Sequence, residues 1–225
     1  MNLVFNRELR VKFPELEVLV TRIRGVKAEE ESLEFKKFKD QILDEVKGKY
    51  SLDSLKDVQI FRLYRDFFWR VGVDPTKIRP AAEALIRRIL AGKTIPSINS
   101  LVDAYNLASI KTEVALAAFD EDTLAGDLVM RFAGKNESFL GIGMPQPRKL
   151  QGVEVVVSDG EKLIAIYPYR DSDATKITGG TRNVLLIACG VPGISREVLH
   201  SAAEVAVNYV KRFCGGEADL AEWFR

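Results

Sequence analysis

Two amides and a carboxylate recur at helical spacing near the middle of the chain. Asn99, Asp103 and Asn106 are separated by four and three residues, so an α-helix places them on one side. They lie beside an apolar face formed by Ile98, Leu101, Val102 and Tyr105. Such groups orient a polar substrate or a water molecule through hydrogen bonds. The pattern therefore predicts a binding site at the edge of the core.

A second polar cluster follows between two apolar runs. Residues 170–183 read RDSDATKITGGTRN and contain Arg170, Thr175, Thr178 and Thr181. They lack the G-x-x-x-x-G-K-S/T pattern of a phosphate-binding loop. One interpretation is a surface loop whose Asp and Thr side chains satisfy their own backbone. The other is a loop that delivers hydroxyls and N–H groups to a pocket.

A single arginine interrupts an alternating strand. Leu128, Met130 and Phe132 alternate with Val129 and Arg131, which places Arg131 on the face opposite the three apolar side chains. Arg131 is interpreted first as a structural ion-pair partner and second as an anchor for a carboxylate or phosphate.

Composition excludes several kinds of chemistry. His200 is the only histidine, and Cys189 and Cys214 are distant from each other, so we predict no metal site and no cofactor. A histidine-based triad is excluded unless His200 supplies the base. The net charge is +1, and bulk charge therefore does not indicate nucleic-acid binding. No apolar run approaches a membrane span and no secretory signal is recognised. We expect a cytoplasmic protein that does not bind membranes.

The elements that position these groups follow from periodicity. Residues 79–109 predict two helices joined by a Gly-Lys-Thr-Ile-Pro elbow, with Gly92 ending the first helix and Ser97 capping the second. Before them we expect a strand in 16–26, an amphipathic helix from about 27 to 47, and a helix over 54–71 whose aromatic residues belong to the core.

Short strands dominate the second half of the chain. We predict strands at 114–118 and 128–132, a hairpin turning at Asp159-Gly160, and a buried strand VLLIACGV. A last helix begins after Ser195 and carries His200 on its surface. The expected class is α/β (α+β): a mixed, largely antiparallel sheet core covered by helices. We expect one domain over 1–225, with an N-terminal strand and helical cover (1–75), a motif-bearing core (76–190) and a C-terminal helix (191–225).

Several motifs in this order resemble one known family. Three stretches carry the likeness: the string IPSINSLVDAYNLAS, Phe119-Asp120 with L-A-G-D-L-V-M-R, and a T-x-N-V-x-L motif that begins at Thr181. They are similar to motifs of the editing domain of the phenylalanyl-tRNA synthetase β subunit, the tRNA-binding B3/B4 domain. The resemblance covers 79–189. It adds Asp120 and Glu154 to the candidate substrate-binding residues, which are Asn99, Asp103, Asn106, Asp120, Arg131, Glu154, Arg170, Thr175, Thr178 and Thr181.

Two positions depart from the family pattern. Ala117 stands where the synthetase domain has a histidine, and Ile187 stands where it has a glutamate. Both groups belong to the family's tyrosine pocket, so tyrosine specificity is not expected.

The resemblance implies a free-standing protein that binds the acceptor end of a tRNA and hydrolyses a mischarged aminoacyl ester in trans. The catalytic residues are not assigned. The alternatives are a non-catalytic tRNA- or RNA-binding module, one associated with a synthetase, and a hydrolase of small molecules.

Overall fold

The computed structural model describes residues 2–29 and 31–225. The helices are α1 (Arg7–Lys12), α2 (Leu33–Lys49), α3 (Gln59–Arg70), α4 (Ala81–Leu90), α5 (Ser100–Thr112) and α6 (Arg196–Cys214). The strands are β1 (Leu3–Phe5), β2 (Val18–Arg24), β3 (Leu116–Asp120), β4 (Leu128–Phe132), β5 (Ser138–Phe139), β6 (Arg148–Lys149), β7 (Val155–Ser158), β8 (Leu163–Ile166), β9 (Arg170–Asp171), β10 (Asn183–Cys189), β11 (Glu217–Ala218) and β12 (Glu222–Phe224). In the described part of the chain, none of these helices is long and apolar enough to cross a membrane.

Two larger sheets carry the fold. Sheet I has the strand order β1-β4-β7-β8-β9, and sheet II has the order β11-β2-β10-β3, with β12 also paired to β2. Strands β1 and β4 are parallel, and the other pairings within these sheets are antiparallel. The mixed, largely antiparallel core expected from the sequence is therefore confirmed.

The two faces of sheet II bury different sets of residues. Leu19 and Ile23 of β2 pack with α2, α4, α5 and α6, whereas Val18 and Val20 pack with the inner face of sheet I. This alternation follows from the two-residue period of a strand. The layers are therefore helices, sheet II and sheet I, with one apolar core on each side of sheet II.

Sheet I is also covered on its outer face. Val155 and Val157 point into the core between the sheets, while Val156 packs outside with Phe139 and Leu150. The valine-rich strand is thus buried on both faces, as its composition predicts. Arg131 lies opposite Val156 in register, on the outer face, as predicted from the alternation in β4.

The helical elbow is present, with one correction. Gly92, which follows the C-cap residue Ala91 of α4, has a positive φ of 69°, a backbone conformation that favours glycine. The predicted Ser97 cap is wrong, because Asn99 caps α5 by accepting a hydrogen bond from the Val102 N–H at 2.9 Å. Ile98 was also assigned to the apolar face, but 62% of its surface is exposed because it precedes the helix.

Both ends of the chain contain elements that the periodicity did not predict. Strand β1 and helix α1 precede the expected first strand, and β11 and β12 follow the last helix. These strands have two or three residues each, which is too short for a recognisable alternation. They cover the β4 edge of sheet I and the β2 edge of sheet II.

Candidate functional site

The amide and carboxylate stripe of α5 is mainly engaged in internal contacts. Asp103 is 2% exposed and accepts hydrogen bonds from the Ser97 hydroxyl at 2.9 Å and from Lys39 Nζ at 3.3 Å. Lys39 also pairs with Glu31 at 2.7 Å. Burial raises the pKa of Asp103, and its hydrogen bond to Glu31 raises it further. This network ties α5 to α2, so Asp103 has a structural role.

An open cavity lies beside this network. Its volume is about 430 Å³, and its lining includes Glu29, Ser97, Asn99 and Gly179. Asn99 therefore lines a cavity although its amide oxygen is used as the helix cap. Asn106 is partly buried, and its side-chain amide makes no hydrogen bond with any residue that the structure describes. The structure therefore brings Asn99 close to Gly179 of the threonine loop. Asp103 and Asn106 do not line this cavity, so the three residues of the stripe do not face one common site.

Two of the three loop threonines take part in a local hydrogen-bonded turn. The Thr181 hydroxyl is 2.7 Å from Asp120 Oδ2, to which it donates, and it accepts from the Thr178 N–H at 2.9 Å. The Thr178 hydroxyl accepts from the Gly180 N–H at 3.2 Å. Thr175 is fully buried, and its hydroxyl has no partner among the described residues. These contacts favour the interpretation in which the loop satisfies its own backbone.

The two candidates on and near β4 and β7 lie elsewhere. Arg131 forms a two-pronged ion pair with Glu137, at 2.7 and 2.9 Å, on the outer face of sheet I. Glu154 accepts hydrogen bonds from the N–H groups of Gln151 and Gly152. Both side chains stabilise the connections around β5 and β6. The first interpretation of Arg131, a structural ion pair, therefore describes its geometry.

Arg170 is exposed at the edge strand β9. Its guanidinium donates to the Ile142 carbonyl at 3.2 Å, and its side chain lies over Gly141, where an added Cβ would be 2.6 Å from Arg170 Cγ. The arginine thus closes the 141–144 turn against sheet I.

The two positions that depart from the family pattern are direct neighbours. Ala117 of β3 and Ile187 of β10 are partners in the antiparallel register. Both side chains pack against the core between the two sheets. The places of the histidine and the glutamate therefore meet on one wall, and here that wall is apolar.

A carboxylate that sequence reasoning missed faces this wall. Asp171 pairs with Ala165 across β8 and β9, and Ala165 belongs to the core between the sheets. Directly opposed residues of an antiparallel pair point to the same face. Asp171 is partly exposed and has no hydrogen-bond or ion-pair partner for its carboxylate among the described residues. It is thus an unpaired carboxylate at the edge between the sheets.

This environment changes the acidity of Asp171. Burial raises its pKa to about 7, and the adjacent Arg170 charge opposes the increase only in part. The Asp171 charge in turn adds to the raised pKa values of Tyr105 and Cys189, both of which are caused first by burial. A carboxyl that titrates near neutrality is able to accept or donate a proton in catalysis.

One signal in the sequence pointed to Asp171. It stands at position two of the hydroxyl-rich segment 170–183 and is separated from the buried run LIAIYPY only by Arg170, so a strand end was expected there. Its orientation depends on the pairing with β8, which composition does not reveal. Among the described residues, no group of three or more His, Cys, Asp or Glu side chains could hold a metal ion.

Comparison with known families agrees with this architecture. Residues 63–215 match the family described as the B3/4 domain, which is more than half of the chain. The chain therefore belongs to the B3/4 domain family.

Two similar proteins of known identity are beta subunits of the same enzyme. The phenylalanine–tRNA ligase beta subunit of Fusobacterium nucleatum is 33% identical over 110 residues, which is 49% of this chain and 14% of that protein. The same subunit of Geobacter metallireducens is 34% identical over 110 residues, or 48% of this chain and 14% of that protein. The chain thus spans about one seventh of the length of these relatives, and the resemblance to the B3/4 region is confirmed.

A solved structure extends the similarity of fold to the whole chain. An N-terminal fragment of the phenylalanyl-tRNA synthetase beta subunit from Pyrococcus horikoshii aligns with a TM-score of 0.51 at 15% identity. The alignment covers 99% of this chain and 53% of the fragment. At this identity the match shows the fold alone.

Proposed function

We propose that this chain binds the acceptor end of a tRNA and hydrolyses a mischarged aminoacyl ester in trans, with Asp171 as the proton acceptor. The observation that carries the proposal is the unpaired carboxylate of Asp171, whose pKa of about 7 places its titration at physiological pH. It faces the wall where the family pattern has a histidine and a glutamate. Membership of the B3/4 family supports the choice of an aminoacyl ester.

The chemistry requires only one proton acceptor. Asp171 in its anionic form takes a proton from a water molecule as the water oxygen attacks the ester carbonyl. The tetrahedral intermediate then releases the ribose oxygen of the tRNA, which takes the proton back from Asp171, and the free amino acid leaves. An aminoacyl ester is already activated, so orientation of the water and a correctly poised base account for the acceleration.

The apolar wall constrains the substrate. Ala117 and Ile187 offer no hydrogen bond to a phenol, because neither side chain carries a polar atom. A site without a partner for a hydroxyl group gains nothing from tyrosine over an apolar amino acid. We propose that the substrate carries a small or apolar side chain.

The test is a deacylation panel with purified protein. tRNAs charged with Phe, Tyr, Ser, Thr and Ala, including mischarged pairs, are incubated with wild type, Asp171→Asn and the control Asp173→Asn. Asp173 is a neighbouring carboxylate that pairs with Lys176 on the surface. We expect one ester to be lost rapidly and Asp171→Asn to slow this loss by about 10²–10⁴-fold, the usual contribution of a general base.

The pH dependence of the reaction is a second readout. After subtraction of spontaneous hydrolysis, the wild-type rate should rise with pH up to about 7 and then level off, because the anion is the active form. Intact esters throughout the panel would refute the hydrolase. Equal rates for wild type and Asp171→Asn would refute the role of Asp171.

A non-catalytic tRNA-binding module is the second candidate function. The observation that favours it is that Asp103, Asp120, Thr181 and Glu154 are occupied by internal hydrogen bonds. A domain of this kind should bind uncharged tRNA with an affinity that falls steeply with salt and should leave every ester intact.

A further inference from the structure

A large groove follows the N-terminal segment, outside the residues that match the family. Its volume is about 760 Å³, and its lining includes Arg7, Arg10 and Arg225 together with Val4, Val11 and Pro14. The groove lies along α1 and the edge strand β1 of sheet I. A concavity of this size holds a ligand of one or two nucleotides.

The arginines of this groove differ from most others in the chain. Arg65, Arg131 and Arg196, for example, are each held by a carboxylate. Arg7 and Arg10 are exposed and form no ion pair with any described residue. Arg225 acts at longer range on Glu17, whose pKa is lowered mainly by its hydrogen bond with Arg196. Two full positive charges therefore remain available to an outside ligand.

Further cations extend the same surface. Lys12 Nζ lies 5.8 Å from the centre of the Phe13 ring, and the Arg70 guanidinium lies 4.6 Å from it. Phe13 itself lines the groove. The acidic residues of this segment, Glu8 and Glu15, are exposed but are not among the described lining residues. The surface is thus positive although the whole chain carries a net charge of only +1.

The apolar part of the groove adds a second requirement. Val4 is 48% exposed and Val11 is 76% exposed, so both offer apolar surface next to the arginines. A ligand that contacts both the arginines and the valines carries successive phosphate groups next to the apolar surfaces of sugars or bases. We propose that this groove, formed by Arg7, Arg10, Val4 and Val11, binds the sugar–phosphate backbone of an RNA strand.

The position of the groove agrees with a tRNA that spans the molecule. Strands β1 and β9 form the two edges of sheet I, and four strand spacings separate them by about 19 Å. An RNA held at α1 can therefore reach the Asp171 edge only if it extends across the sheet, as a tRNA acceptor arm does. The choice of RNA over other polyanions rests on the proposed function. The positive charge of the groove is an observation that does not depend on that proposal.

The experiment measures binding separately from hydrolysis. Fluorescence anisotropy with labelled, uncharged tRNA is recorded between 50 and 300 mM KCl, a salt range of about sixfold that resolves the slope. The proteins are wild type, the double variant R7Q/R10Q and the control K37Q/K47Q. Lys37 and Lys47 are exposed on α2 in the helical layer, so the control has the same change in net charge.

We expect R7Q/R10Q to bind about tenfold or more weakly at 100 mM KCl. The slope of log K against log salt should decrease by about 1.4–1.8, the equivalent of two phosphate contacts. K37Q/K47Q should bind as wild type does. All four side chains are exposed, and circular dichroism checks that each variant is folded.

Three results would overturn the assignment. They are unchanged binding by R7Q/R10Q, equal weakening by the control, and binding to vesicles of phosphatidylcholine with phosphatidylserine in place of tRNA. Absence of deacylation together with salt-sensitive, Arg7- and Arg10-dependent tRNA binding would refute the hydrolase and leave the groove assignment intact.

Discussion

Asp171 is a partly exposed carboxylate at the edge between the two sheets, and no cation among the described residues forms an ion pair with it. The neighbouring Arg170 points its guanidinium to the Ile142 carbonyl, so it does not form an ion pair with Asp171. Burial then favours the neutral acid, which raises the pKa to about 7. Charged groups in such surroundings reduce stability, and they concentrate at functional sites.

The pH dependence of stability tests this environment without any substrate. The pKa of Asp171 is higher in the folded than in the unfolded chain, so its contribution is most favourable below about pH 4 and is lost as pH rises towards 7. Asp171→Asn has no such titration. The unfolding free energy of the variant minus that of wild type should therefore be larger at pH 8 than at pH 5 by roughly 2–3 kcal/mol.

Urea denaturation at the two pH values measures this difference. Asp173→Asn serves as the control, since Asp173 pairs with Lys176 on the surface. A difference in unfolding free energy between Asp171→Asn and wild type that stays constant from pH 5 to pH 8 would contradict the burial of the charge.

At the scale of elements, α3 fastens two strands of sheet II. The Tyr64 hydroxyl donates to the Cys189 carbonyl at 2.5 Å and accepts from the Ala115 N–H at 3.0 Å. Cys189 ends β10 and Ala115 precedes β3. The helix thereby fixes the end of the wall that Ala117 and Ile187 form. A fully buried Glu83, held by Arg65 and Arg87, attaches α4 to α3 in the same region.

Removing the Tyr64 hydroxyl should destabilise the protein where α3 contacts the ends of β10 and β3. Tyr64→Phe leaves two buried backbone groups without their partner, which costs about 1–3 kcal/mol. Tyr50→Phe is the matched control, because its hydroxyl bonds Glu113 in a half-buried position. We expect a smaller loss there in chemical denaturation. Equal losses in the two variants would show that the strand ends do not depend on α3.

At the scale of the molecule, the proposed catalytic edge and the RNA groove lie at opposite edges of sheet I. Asp171 belongs to β9, and the groove follows β1 and α1. Since the two regions share no residue, substitutions in them should act independently. This arrangement would allow the groove along α1 to bind the body of the tRNA while the Asp171 edge contacts its acceptor end.

Steady-state kinetics can separate the two roles. R7Q/R10Q should raise KM for the charged tRNA about tenfold with kcat unchanged, because it removes binding that is equal in ground state and transition state. Asp171→Asn should lower kcat with little change in KM. A variant that combines R7Q/R10Q with Asp171→Asn should show both changes, and its fall in kcat/KM should be the product of the two separate falls. A fall in kcat from R7Q/R10Q would indicate that the groove also positions the ester.

The sequence by itself determined the elements with long, regular apolar patterns. Helices α2 to α6, the valine-rich β7 and the buried β10 follow from periodicity, because burial of one face demands a fixed spacing. The order of dispersed motifs also determined the family. The Ser97 cap failed because Asn99 was an equally good capping residue two positions later, and local preference does not choose between them.

Only the tertiary structure decided which polar groups are free. Four candidates have the residue types of a binding site: Asn99, Asp120, Glu154 and Thr181. Their side chains are nevertheless engaged in hydrogen bonds within the protein, with partners that are a few or many residues away in sequence. Asp171 is the reverse case, since strand pairing places it at the edge between the sheets, where its carboxylate has no partner in the described part of the chain. Hydrogen-bond satisfaction and desolvation depend on distant segments, and these meet only when the chain folds.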